Sequence, residues 1–166
     1  MLQLVDVEQS DIDVITRSLG LWQCSERWAL GGLTPSPEMW GQLFYQDVAM
    51  QRAIRSDEGG CAGLLQLVRV NADDGFAHLE LFIDPLHAPK IDNPVAELVD
   101  QAFEILPLRK LLLAAAKDHL ELPACLATTV QRIGSLRDHR RRGRDVYVSV
   151  NLYELWVDDW SDARAS

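Results

Sequence analysis

The sequence predicts a mixed α/β (α+β) fold: a largely antiparallel central sheet with helices on both faces. Three observations carry that expectation. Strand signals follow one another at 49–55, 61–70 and 76–83, joined by short turn-rich connections. An amphipathic stretch at 95–106 is followed at 110–116 by a continuous apolar run, suited to a strand covered on both faces. The last strand signal alternates strictly, with Val146, Val148, Val150 and Leu152 on one face and Tyr147, Ser149, Asn151 and Tyr153 on the other.

Taken in order, 2–7 reads as a short strand, and Ser10 or Asp11 can cap a helix carrying Ile12, Ile15 and Leu19 on one face. The stretch 22–40 is less regular, with Trp22, Trp28 and Trp40 along it. A short helix is expected after Pro37, because proline is tolerated in a first helical turn. Ser56, Asp57, Glu58, Gly59 and Gly60 make the first hairpin connection, and 71–75 makes the second. Asp84 and Pro85 close the strand at 76–83. Val95, Leu98, Val99, Ala102, Phe103 and Leu106 mark the amphipathic helix, which Pro107 ends. A further helix is expected over 120–132, and two strands over 134–160 complete the chain.

At 166 residues the chain suits one domain, 1–166, with a sizeable core, and 48% hydrophobic content fits an ordinary globular protein. A formal net charge of −9 disfavours general affinity for nucleic acid or an anionic membrane. Cys24, Cys61 and Cys125 are an odd, widely spaced set, which suggests thiols in a reducing compartment and neither a disulfide framework nor a metal site. The first residues carry no basic segment followed by a long apolar core. The longest apolar run, 111–116, is too short to span a bilayer. A cytoplasmic protein is expected.

In this order and spacing the elements resemble the GNAT superfamily of N-acetyltransferases over nearly the whole chain. Two segments carry the resemblance. One runs Ala77, His78, Leu79, Glu80, Leu81, Phe82, Ile83, Asp84, Pro85 and continues into the helix at 95–106. The other is the terminal hairpin, with Leu136, Arg137, Asp138, His139 in one strand and Leu152, Tyr153, Glu154, Leu155, Trp156 in the other. The chain looks most like the branch that acetylates ribosomal-protein N-termini and small amines.

The resemblance implies acetyl-CoA or another acyl-CoA as co-substrate and a small-molecule or peptide amine as acceptor. It implies that main-chain groups near Phe82 and Ile83 meet the thioester. It also implies that the turn before the long helix meets the pyrophosphate, where family members carry small residues that let backbone N–H groups approach. Here that turn reads Ala88, Pro89, Lys90, Ile91, Asp92, Asn93, Pro94. The two prolines cannot donate, Asp92 brings a carboxylate, and Lys90 is the residue suited to an anion. Asn93 with Pro94 reads as a helix cap and first-turn pair.

The family's usual glutamate base maps to His78, with Glu80 two residues along on the same strand face. A histidine titrating near neutrality, or a glutamate raised by burial, suits that work. The usual tyrosine acid maps to Cys125. Each residue also has a plainer reading: Cys125 as a core thiol, His78 and Glu80 as a solvated strand face. The tryptophans are either acceptor-pocket walls or core. The basic run Arg140, Arg141, Arg142, Arg144 is either an anion dock or a solvated turn.

Three functions remain open on this footing. The first is acyl transfer from a CoA thioester to an amine by direct attack. The second is a non-catalytic relative that binds a ligand or partner, with a homodimer left open. The third is an acyltransferase fed by a carrier-protein thioester.

Overall fold

Turn chemistry sets the middle of the sheet. Gly59, at φ 80°, reverses the chain between β3 (Val48–Ser56) and β4 (Cys61–Asn71). The Asn71 side chain accepts from the Asp74 amide at 3.0 Å, and Gly75, at φ 69°, completes the turn into β5 (Phe76–Ile83). The structure is a computed structural model and describes residues 1–19, 21–25, 28, 35–116, 120–141 and 146–165.

The chain adds β1 (Leu2–Val5) outside β3 and β6 (Lys110–Ala116) beside β5, then closes with β7 (Gln131–Arg141) and β8 (Tyr147–Trp156). The order across the sheet is β1-β3-β4-β5-β6-β8-β7, antiparallel except where β5 meets β6. A two-residue strand, β2 (Gln23–Cys24), pairs with β5 off this path.

Helix α1 (Gln9–Ser18) is capped by Glu8, two residues before Ser10 and three before Asp11, the expected caps. Asp11 sits inside its first turn instead and accepts from the Glu8 amide at 2.9 Å. The Asp11 carboxylate, 2% exposed, also takes Arg55 Nη2 at 2.5 Å and Nε at 3.0 Å, tying α1 to β3. Helix α2 (Pro37–Phe44) begins on proline as expected, with Ser36 Oγ accepting from the Met39 amide at 3.3 Å.

Helix α3 (Asp92–Ile105) begins earlier than the periodicity indicated. Its cap is Ile91, so Asn93 and Pro94 lie inside the first turn. The helix expected over 120–132 is a single turn, α4 (Ala124–Ala127). Pro123 bars helix on its N-terminal side, and the β-branched pair Thr128 and Thr129 leads into a strand from Gln131. Helix α5 (Val157–Ala165), which periodicity did not indicate, is pinned by Trp160. The Trp160 indole donates to Asp100 at 2.7 Å, and Arg164 reaches the same carboxylate at 3.0 Å.

Apolar residues fill both faces of the sheet. On one, Leu79, Leu81 and Ile83 of β5 join Val95, Leu98 and Val99 of α3 and Leu111 and Leu113 of β6. Each fully buried aliphatic side chain there contributes about 1.5–3 kcal/mol. On the other, Phe82 and Leu64 meet Ile15 of α1, Phe44 of α2, Cys24 and Trp28.

Strand β7 is irregular against β8, with register breaks at Arg132/Gly134 and Leu136/Arg140 and Asp138 at φ 46°. Arg142 and Arg144 of the basic run lie outside the described residues. Among those described, no helix is long and apolar enough to cross a membrane, and no group of histidine, cysteine and acidic side chains could hold a metal ion.

Candidate functional site

Strand β5 is where the sheet divides. It runs parallel to β6 for three residues, Phe76 to His78 against Lys110 to Leu112, and the two strands then part. Alternation fixes what each residue offers. The Asp84 amide bonds Ala62 on β4, so His78, Glu80 and Phe82 turn their main-chain groups toward β4 as well. Gly75 and Leu81 carry carbonyls that face the other way, so Ile83 shares the edge that β6 has left. Of the two amides expected to meet a thioester, that of Ile83 faces the parting and that of Phe82 faces β4.

Side chains alternate independently. Leu79, Leu81 and Ile83 point into the α3 core, which leaves His78, Glu80 and Phe82 together on the α1/α2 face, as the sequence indicated. Phe82 is fully buried under Trp28 and Trp22, each ring centroid 5.2 Å away, and Trp28 also meets Phe44 at 5.2 Å. Trp28 is core, and Trp22 and Trp40 pack half-buried around it.

His78 is half-buried, its ring edge-on to Phe76 at 6.1 Å. Burial, then the nearby Arg69 charge, push its pKa below the usual 6.5, so the imidazole is neutral at pH 7. It can accept a proton. Beside it opens a groove of about 330 Å³ lined by Asp74, Phe76, Arg109, Lys110, Leu112 and Trp156. Lys110 lies 4.7 Å from the Trp156 ring centre and bonds Glu154 at 3.0 Å.

Glu80 is 8% exposed, and its carboxylate accepts a hydrogen bond from Ser25 Oγ. Ser25 holds the strand as well as the carboxylate. Its hydroxyl accepts from the Leu81 amide at 3.0 Å, and its own amide donates to the Leu81 carbonyl at 2.8 Å. Gln23 and Cys24 continue the pairing against Ile83 and Phe82. Residues 23–25 therefore occupy the edge of β5 from which β6 has parted.

Directly across from Glu80 stands Gln66, fully buried, whose Nε2 reaches Gln51 Oε1 at 3.2 Å and the Phe44 carbonyl at 3.5 Å. Since a carbonyl can only accept, that contact sets the amide's orientation. Among the described residues, Gln66 Oε1, Trp28 Nε1 and Gln23 Oε1 are buried with no hydrogen-bond partner.

Sequence reasoning singled out His78 and Glu80 but not Ser25 or Gln66. Ser25 sits 55 residues from Glu80 with no local pattern to announce it. The signal for Gln66 was available: it is a polar residue inside the apolar run of β4, a strand buried from Cys61 through Val68.

At the far end of β5, Asp84 caps the turn by accepting from the Leu86 amide at 3.0 Å and contacting His87 Nδ1 at 3.1 Å. Lys90 and Asn93 are exposed there, while Ile91 is buried at 1% exposure. Asp92 places its carboxylate at the start of α3 and uses it on the Cys125 amide at 2.8 Å. That negative charge complements the helix dipole, which leaves Lys90 and Asn93 as the exposed polar side chains of the turn. Cys125 packs with the α3 core, on the opposite sheet face from His78 and Glu80. Burial first, then Asp92, push its thiol up to about 12.

No protein-family model matches the chain, and no curated protein does so either. Solved structures do match. A spermidine N-acetyltransferase from Vibrio cholerae, in complex with CoA and spermine, is similar with a TM-score of 0.71 at 18% identity, over 96% of this chain and 98% of that one. A point variant of the Vibrio cholerae spermidine N-acetyltransferase gives 0.72 at 18% identity over 99% and 98% of the two chains. The spermidine/spermine N-acetyltransferase of the same organism with manganese ions gives 0.69 at 17% over 99% and 97%. These likenesses show that the chain has the GNAT fold.

Proposed function

We propose that the protein moves an acetyl or other acyl group from a CoA thioester to an amine, by direct attack of the amine on the thioester carbonyl, which breaks the C–S bond and releases CoA as its thiolate. One observation carries this reading: β5 parts from β6 just past His78, and a buried carboxylate, Glu80, lies beside the parted edge. The whole-chain likeness to enzymes of this type supports it. A CoA thioester supplies an activated acyl carbon. Everything else falls to the chain.

His78, held neutral by burial, takes the proton the amine loses, with Glu80 as the second acceptor on the same face. The Ile83 amide points into the parting and suits a developing oxyanion; Phe82 shapes the pocket through its ring. Lys90 and Asn93 are the exposed side chains at the phosphate end. Cys125 keeps its proton across the working pH range, and we assign it to packing.

For the acceptor, a net charge of −9 favours a small cationic amine over a ribosomal-protein N-terminus, because polyamines are drawn to an acidic surface. Calorimetric titration with acetyl-CoA, followed by mass spectrometry of spermidine incubated with enzyme and acetyl-CoA, tests the reading. Absence of binding at millimolar CoA ester would sink it.

A non-catalytic binding role is the second reading. Residues 23–25 lying in the parting and the Asp92 carboxylate at the start of α3 favour it.

A further inference from the structure

We propose that Gln23–Ser25 is an internal strand that competes with the acyl donor for the edge of β5, and that its departure releases Glu80 from Ser25. The inference rests on the acyltransfer reading. It extends it by naming what controls entry.

The segment uses the groups a donor would need. Its Ser25 amide and hydroxyl engage the Leu81 carbonyl and amide, and Gln23 lies against Ile83. The arm of CoA bears amides, so it offers β5 the same donors and acceptors as a peptide strand does. Both cannot lie on one edge. The segment also holds the candidate base, since the Ser25 hydroxyl that bonds Leu81 donates its proton to Glu80. One side chain, Ser25, therefore bonds both the edge of β5 and Glu80.

A second observation shows that the closed arrangement is incompletely satisfied. Among the described residues, the three buried polar atoms with no protein hydrogen-bond partner all belong to this neighbourhood. Gln23 Oε1 is on the segment. Trp28 Nε1 follows it, the Trp28 amide bonding the Ser25 carbonyl at 3.1 Å. Gln66 Oε1 stands across the strand pair from Glu80. Buried groups of this kind ordinarily find hydrogen-bond partners, and these three have none among the described protein groups. An incoming amide arm and amine bring both donors and acceptors. Strand β2 is only two residues long, which keeps the exchange local.

The test uses the full chain, wild type and Ser25→Ala, with acetyl-CoA and a non-hydrolysable thioether analogue, and reads affinity by calorimetry and single-amide hydrogen exchange by NMR. Saturating donor is expected to speed exchange of the Ser25 amide about tenfold or more while amides in α3 stay protected. Ser25→Ala is expected to show that faster exchange without donor and to bind donor about tenfold tighter, because less of the protein is held in the closed form. Circular dichroism confirms that the variant is folded, and the wild-type exchange measurement stands without it. If donor binds and leaves the Ser25 amide as protected as before, with both proteins equal in affinity, the gate is overturned and the acyltransfer reading survives. If neither protein binds donor, both are overturned.

Discussion

Replacing Asp11 by alanine tests the tie between the first helix and the sheet. The carboxylate is buried, receives two hydrogen bonds from Arg55, and accepts the Glu8 amide at the start of α1. Removing one partner of a buried ion pair costs about 3–5 kcal/mol when the survivor stays dry. Arg55 does not: its side chain is 21% exposed and keeps Glu8 at 3.0 Å, which lowers that part to roughly 2 kcal/mol. Loss of the bond to the Glu8 amide adds about 1 kcal/mol, as for a helix cap. The sum, about 3 kcal/mol, corresponds to a fall in Tm of roughly 6–12 °C for a chain of this size.

Circular dichroism melts at pH 7 measure it. The pH dependence supplies the refutation. Burial alone would raise the Asp11 pKa, but Arg55 and the Glu8 amide outweigh it, so the folded value lies below the unfolded one. Stability from such a group is fully present above the unfolded carboxylate pKa, about 4, and is lost as pH falls through the folded value. The gap between wild type and Asp11→Ala must therefore narrow on acidification below that pH. A Tm loss under about 2 °C at pH 7, or a gap that stays constant into acid, refutes the reasoning.

Four further outcomes follow from the geometry. In Gly63→Ala the new methyl carbon meets the Phe82 carbonyl at 2.9 Å and Ile54 Cδ1 at 3.3 Å; backbone cannot yield cheaply, so urea denaturation should show a loss of about 1–3 kcal/mol. His78→Ala should lower kcat/KM for amine acetylation about 100-fold. Arg69→Ala should move the His78 NMR titration upward. Because His78 is depressed, its share of stability is present above pH 6.5 and declines as pH drops below that. Native protein should react with an aromatic disulfide at pH 8 at least about 100-fold slower than denatured protein, since burial pushes Cys61 up to about 11 and Cys125 up to about 12.

What the sequence disclosed followed the reach of its periodicities. Strands β5 and β6 fall at the expected residues because one alternates and the other is a bounded apolar run. The shared face of His78 and Glu80 came from the same period of two. Two residues cannot display a period, so β2 was invisible, and with it Ser25, a partner of Glu80. Helix α5 carries Asp158, Asp159 and Asp162 with little apolar patterning; one buried indole, Trp160, places it. The single turn of α4 shows tertiary context overriding a weak helical signal.

The irregular register of β7 has a consequence for how the molecule meets its neighbours. A last strand of eleven residues would ordinarily offer another chain a ladder of unpaired amides and carbonyls. The breaks at Arg132/Gly134 and Leu136/Arg140 interrupt that border, and Arg132 and Arg137 lie exposed along it. A second copy approaching edge to edge meets breaks and like charge, so the open rim of the sheet resists fibril-like growth.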